Sequence, residues 1–215
     1  VEHRLEVGGL LHFGGAWTAR PDDGPGDPTL LFGSAFAGYG QGAALSAGWA
    51  FLPRWSFQGE AGLSRWRTEG FARTDVYQRT LTLTQTTLDL HTAGRFRFAL
   101  AGVPLYAQTG PALRVGLAAR STEIREGFQS EEPAPTVAVR PSMHWAVELG
   151  VRPDIGPVRL RFGVRWTENL TYPGTTRGRL VDFGSVQDPG PYRVDHDRSV
   201  VFVVGVDRGL NLPAP

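Results

Sequence analysis

Side chains alternate, apolar against small or polar, along segment after segment of this chain. That period of two constrains the fold more than any other feature, because it is the spacing of a strand with two unlike faces. Leu5, Val7, Gly9, Leu11, Phe13, Gly15 and Trp17 share one face, against Glu6, Gly8, Leu10, His12, Gly14 and Ala16. Ala43 to Phe51 repeats the pattern, Leu52, Pro53 and Arg54 turn the chain, and Trp55, Phe57, Gly59, Ala61 and Leu63 resume it opposite Ser56, Gln58, Glu60, Gly62 and Ser64. This is a hairpin signal. Later segments alternate in the same way, up to Val200, Phe202, Val204 and Val206. The reading gives eight strands, roughly 4–18, 35–52, 55–66, 76–94, 104–120, 143–153, 157–167 and 197–208. In the fourth, Leu81 and Leu83 fall on one parity and Leu88 and Leu90 on the other, so an extra residue is expected near Thr84 to Thr87 as a β-bulge.

The connections alternate too. Short turns join strands two to three, four to five (over 95–104) and six to seven. Long loops are expected at 19–34, 66–76, 121–142 and 168–196. Compact domains rarely carry several loops of that length, and here all fall at one end of the array. The 28 Gly and 16 Pro among 215 residues argue against a helical protein. The glycines have no collagen period. The 22 basic residues, all Arg, balance 21 acidic ones, which excludes the basic surface of a nucleic-acid binder. No apolar run is long enough for a membrane helix. The chain opens Val1-Glu2-His3-Arg4 and reads as a mature form after signal-peptide removal.

An even set of strands with short turns at one end suits a closed antiparallel barrel, all-β and a single domain over 1–215. The question is which solvent the apolar face meets. That face carries bulky Leu, Val, Phe and Trp. The other carries Gly, Ala, Ser and charges of both signs: Glu6, Glu60, Arg114, Glu148, Arg152, Arg159, Arg161 and Arg165. Small residues suit a tight eight-stranded interior, and buried charges are tolerable when paired. The expectation is a transmembrane barrel, apolar outside, its lumen plugged by a network of these eight residues. Trp17, Trp49, Trp55, Trp66, Trp145 and Trp166 lie near strand ends and are read as an aromatic girdle at the two membrane interfaces.

At the level of residues the chain resembles the small eight-stranded outer-membrane barrels of the OmpA-like kind. The resemblance rests on Gly38-Tyr39-Gly40 leading to Ala47-Gly48-Trp49-Ala50-Phe51, on Phe57-Gln58-Gly59-Glu60-Ala61-Gly62, and on Pro104-Leu105-Tyr106-Ala107 with Gly110-Pro111-Ala112. It implies a Gram-negative cell envelope, integral outer-membrane localisation, contact with outer-membrane lipid and lipopolysaccharide, and termini on the periplasmic side. Members usually end on an aromatic residue; Gly209 to Pro215 departs from that pattern.

Motifs for chemistry are sparse. Gly38-Tyr39-Gly40-Gln41-Gly42 sits inside a strand and fails the context of a dinucleotide loop. Asp22, Asp23 and Asp27 lack calcium-loop spacing, and Asp195-His196-Asp197 alternates faces. Lipid-acyl hydrolases or transferases on such barrels need a Ser beside a His. The candidates are His12, His91, His144, Ser46, Ser64 and Ser199, none paired in a local motif. The reading is therefore a non-enzymatic anchor, loop-display scaffold or subunit of an envelope assembly, with no cofactor and no metal. Its alternatives are a lipid-modifying enzyme and a soluble lipocalin-like carrier. Phe128, Tyr172, Phe183 and Tyr192 in the last two loops are candidate contacts for another envelope protein.

Overall fold

The computed structural model describes residues 4–18, 36–73, 78–126, 137–138, 141–171, 192–193 and 198–211. The strands are β1 (Arg4–Thr18), β2 (Phe36–Ala50), β3 (Trp55–Arg73), β4 (Gln78–Leu100), β5 (Val103–Glu126), β6 (Val137–Ala138), β7 (Ser142–Val151), β8 (Asp154–Ile155), β9 (Val158–Asn169), β10 (Tyr192–Arg193) and β11 (Arg198–Asn211). Eight of them, β1, β2, β3, β4, β5, β7, β9 and β11, form an antiparallel ring closed by β1–β11 and β9–β11 pairing. The β1–β11 seam runs unbroken from Arg4↔Asn211 to Trp17↔Arg198. A closed ring leaves no unpaired edge, which is how a sheet satisfies its backbone in an apolar solvent.

The alternation sorts the side chains. Leu11, Leu45, Leu149 and Phe202 point outward, with Leu45 75% exposed. Glu6, Glu60, Glu148, Arg95 and Arg161 point inward and are buried to 6% exposure or less. A soluble barrel, and so the carrier alternative, needs the opposite distribution. The narrow lumen is reached through glycine. A Cβ on Gly14 would lie 2.0 Å from the Val200 carbonyl oxygen. A Cβ on Gly40 would lie 2.1 Å from the indole of Trp66. The glycine-rich run of β2 thins the wall.

Several boundaries differ from the sequence reading. β3, β4 and β5 span 19, 23 and 24 residues, whereas crossing a bilayer takes about 9–11. The expected long loop 66–76 is mostly strand, and only 74–77 connects β3 to β4. The expected turn 95–104 is also strand, apart from Ala101 and Gly102. Their φ values of 50° and 80° make a two-residue hairpin turn of the kind that matches strand twist. β4 has no extra residue. Its pairing with β3 is continuous, and Leu83 simply points inward. The register shift lies opposite Thr86/Thr87, where Leu117 of β5 is the unpaired residue.

Candidate functional site

The lumen holds three polar layers. At its centre Arg161 meets Glu148 twice, Nε to Oε1 at 2.8 Å and Nη2 to Oε2 at 2.7 Å, and reaches Glu60 Oε1 with Nη1 at 2.7 Å. Arg165 donates to Glu148 Oε2 at 2.8 Å and to Glu60 Oε2 at 2.6 Å. Two carboxylates thus face two guanidinium groups in a closed exchange. The Tyr106 hydroxyl donates to Glu148 at 2.5 Å, and Gln108 donates to it at 3.1 Å. The aromatic ring fits because Gly163 and Gly150 stand where side chains would collide with it.

Toward the short turns, Arg152 Nη2 bridges Glu6 of β1 and Asp207 of β11 at 2.8 Å each. Arg159, Arg97 and Arg95 also converge on Glu6, with Arg97 at 3.4 Å and Arg95 at 3.9 Å. Toward the opposite end, Arg114 pairs with Asp89 at 3.0 Å and stacks 5.1 Å over the Trp66 ring. All eight residues expected in the lumen therefore face inward, but they split into these three layers. Arg95, Arg97, Tyr106 and Gln108 belong to the same network and were not singled out in the sequence. Arg95 and Arg97 fell in a stretch read as a turn. Continuing the inward parity of His91 and Ala93 would have found them.

The six tryptophans separate. Trp49 and Trp55 are exposed at the short-turn end, where Trp55 packs 4.8 Å from Phe96. Trp145 and Trp166 are exposed near the other end, and Trp17 meets Trp166 edge-on at 5.5 Å. Trp66 is corrected: it is 3% exposed and lies inside the barrel, so it is no part of an outer girdle. Trp145 also donates from Nε1 to the Thr109 hydroxyl at 2.9 Å, and Thr109 donates to the Ala146 carbonyl at 3.1 Å, so this outward hydroxyl is satisfied within the wall.

Two of the histidines pair with serines, and only the second pair departs from the sequence reading, which found no local motif. His12 Nε2 lies 2.9 Å from Ser64 Oγ, and Ser64 in turn donates to Asp89. His144 Nε2 lies 2.9 Å from Ser142 Oγ, a local pair two residues apart. In a hydrolytic triad the imidazole stands between carboxylate and hydroxyl. In the first set the hydroxyl stands in the middle and donates to the carboxylate, which is the order of a luminal hydrogen-bond chain and not of that triad. His12, His91 and His144 line a cavity of about 50 Å³, space for a few waters. No group of three His, Asp or Glu among the described residues is placed to hold a metal ion.

Phe128, Tyr172 and Phe183, and the Asp22–Asp27 and 195–197 clusters, lie outside the described residues. The backbone of Tyr192 is described: it pairs in parallel with Val137, and Arg193 with Ala138, so β10 joins the last long connection to the one before it.

No family model and no curated protein matches the chain. Among solved structures it is similar to Neisserial surface protein A, with 13% identity and a TM-score of 0.40 over 95% of this chain and 96% of that one. It is also similar to the outer membrane protein OprG from Pseudomonas aeruginosa, with 9% identity and a TM-score of 0.46 over 99% and 97% of the two chains. A third is Ail, the attachment invasion locus protein of Yersinia pestis, solved with the heparin analogue sucrose octasulfate, at 12% identity and TM-score 0.35 over 98% and 100%.

Proposed function

We propose that this chain is an integral barrel of a bacterial outer membrane that works without catalysis, as an anchor and scaffold presenting its long connections outside or to an envelope partner. The observation that carries this reading is the inversion of the wall: charge inside and paired, leucine, valine and aromatic rings outside, with exposed tryptophans near both ends. Such an exterior is stable only where the surroundings are themselves apolar. The central layer of Arg161, Arg165, Glu60 and Glu148 fills the lumen at mid-height, so the barrel is closed to solutes. The hydroxyl-centred order His12–Ser64–Asp89 supports a structural role for those residues over acyl transfer.

The decisive experiment has two parts. The purified chain should require detergent for extraction and migrate differently on gels before and after boiling. In planar bilayers it should give no large, stable conductance. Water solubility without detergent defeats the membrane reading, and an open channel defeats the plug. For the scaffold role, residues 173–191 should be deleted. Retained folding with loss of a co-purifying envelope protein is the expected result. Retention of every partner and phenotype makes that loop dispensable and the scaffold reading wrong.

A further inference from the structure

The outward faces of β3, β4 and β5 change character partway along. Leu63, Leu88, Val115 and Leu117 belong to the apolar wall. One step nearer the long-connection end, the outward residues become polar. The register sets Arg65 beside Thr86 and Ala118, Arg67 beside Thr84 and Arg120, and Glu69 beside Thr82 and Thr122. Short threonines on the middle strand lie between long arginines on its neighbours. The result is a trough of about 490 Å³ with a threonine floor and arginine sides. The unpaired Leu117 contributes, because a bulge adds local twist and tilts β5 relative to β4.

Among the described residues the charge of the trough is only partly compensated. Arg67 pairs with Glu69, Nη2 to Oε1 at 2.7 Å, and Thr82 also donates to that carboxylate at 3.3 Å. Among the described residues Arg65 and Arg120 make no ion pair. On the adjacent β2, Tyr39 and Gln41 stand outward beside Arg67 and Arg65, which extends the polar surface sideways. Arginine guanidinium groups with hydroxyl donors between them are the chemistry of phosphate recognition. The apolar wall directly beneath suits acyl chains attached below such a charged group.

We propose that this trough binds the phosphorylated headgroup of a glycolipid of the outer leaflet, with Arg65 and Arg120 as the principal phosphate contacts, Arg67 shared with Glu69, and Thr84 and Thr86 on the floor. The inference rests on the outer-membrane reading and on the long connections facing outward. It assigns to one part of the wall a specific lipid site where a barrel otherwise makes only general lipid contact.

The test uses the full chain folded in neutral detergent and titrated with diphosphorylated lipid A, dephosphorylated lipid A, phosphatidylglycerol or inorganic phosphate, with bound lipid counted by native mass spectrometry. The expected result is saturable binding of diphosphorylated lipid A. The triple variant R65Q/R67Q/R120Q should lose on the order of a hundredfold in affinity, roughly fivefold per arginine. The dephosphorylated lipid should bind the wild type as weakly as the phosphorylated lipid binds the variant. Heat-dependent gel migration reports folding, and should the triple variant misfold, R120E alone carries the comparison with an expected loss of at least tenfold. Equal affinity of the folded variant and the wild type overturns the proposal. So does equal binding of the two lipid A forms. Phosphatidylglycerol binding as tightly as lipid A reassigns the surface to generic anionic lipid, and inorganic phosphate displacing lipid A at matched concentration reassigns it to free anions; either rejects the glycolipid. A chain that does not enter detergent micelles or bilayers at all instead overturns the membrane reading beneath it.

Discussion

Replacing Glu148 with Gln should destabilise the barrel more than replacing Glu148 and Arg161 together. The central layer contains two carboxylates, Glu60 and Glu148, and two guanidinium groups, Arg161 and Arg165, all at 11% side-chain exposure or less. Glu148→Gln leaves two buried cations sharing one carboxylate. Removing one partner of a buried ion pair costs about 3–5 kcal/mol, largely because the other charge stays desolvated and uncompensated. Adding Arg161→Met restores balance, one carboxylate against one guanidinium, and Arg165 still reaches Glu60 at 2.6 Å. The double variant should therefore recover most of the loss and lie within about 2 kcal/mol of the wild type. The assay is equilibrium urea unfolding from lipid vesicles, followed by tryptophan fluorescence and by the heat-resistant gel band. Additive losses in the double variant, or a loss below about 1 kcal/mol for Glu148→Gln alone, would refute the argument that charge balance in the lumen governs stability.

Further predictions are smaller in scope. Tyr106→Phe removes one of several hydrogen bonds to Glu148 and should cost about 1 kcal/mol in the same titration. Ala101→Gly should stabilise by up to about 1 kcal/mol, since Ala101 sits at φ 50°, where an L side chain is strained; a destabilised variant would show that the turn does not need that conformation. Gly40→Val should abolish the folded gel band, because its side chain would occupy the space of the Trp66 indole, and Gly40→Val combined with Trp66→Ala should restore it in part. Protease added to intact cells should cut near Glu126 or Arg177 and spare Arg54, and cleavage at Arg54 alone reverses the proposed orientation.

Wherever one face of a strand meets hydrocarbon and the other a packed lumen, the pattern was readable in the sequence. Both faces are then under strong and opposite selection for polarity, and β1, β7 and β11 follow the parity read from their residues. Legibility ended where the outer face leaves the apolar band. Arg65, Arg67 and Glu69 make the outward side of β3 polar there, so its outer end looked like loop, whereas the outer half of β4 read as strand with Leu83 on the parity opposite to Leu88 and Leu90, which suggested a bulge. Trp66 was misplaced for a related reason. Its parity with Ser56, Gln58, Glu60 and Ser64 already put it inside, but its nearness to an apparent strand end suggested an interface. The candidate luminal charges were visible as residue types on one parity, whereas their partners were not, because pairing across a barrel depends on strand tilt and shear. The contacts of Glu6 with Arg97, Arg152 and Arg159 connect residues 91, 146 and 153 positions apart.

The bridge from Arg152 to Glu6 and Asp207 also bears on how the barrel comes together. Its two acceptors stand on the first and last strands, which border the only seam whose formation needs both ends of the polypeptide. Until the chain closes, that guanidinium lacks one of its two acceptors. Closure and completion of the bridge are thus one late event, fed by contacts of maximal sequence separation, which makes the final step slow. Reopening must separate the backbone ladder and expose the same charges to lipid, which raises the barrier to a sideways opening at this seam.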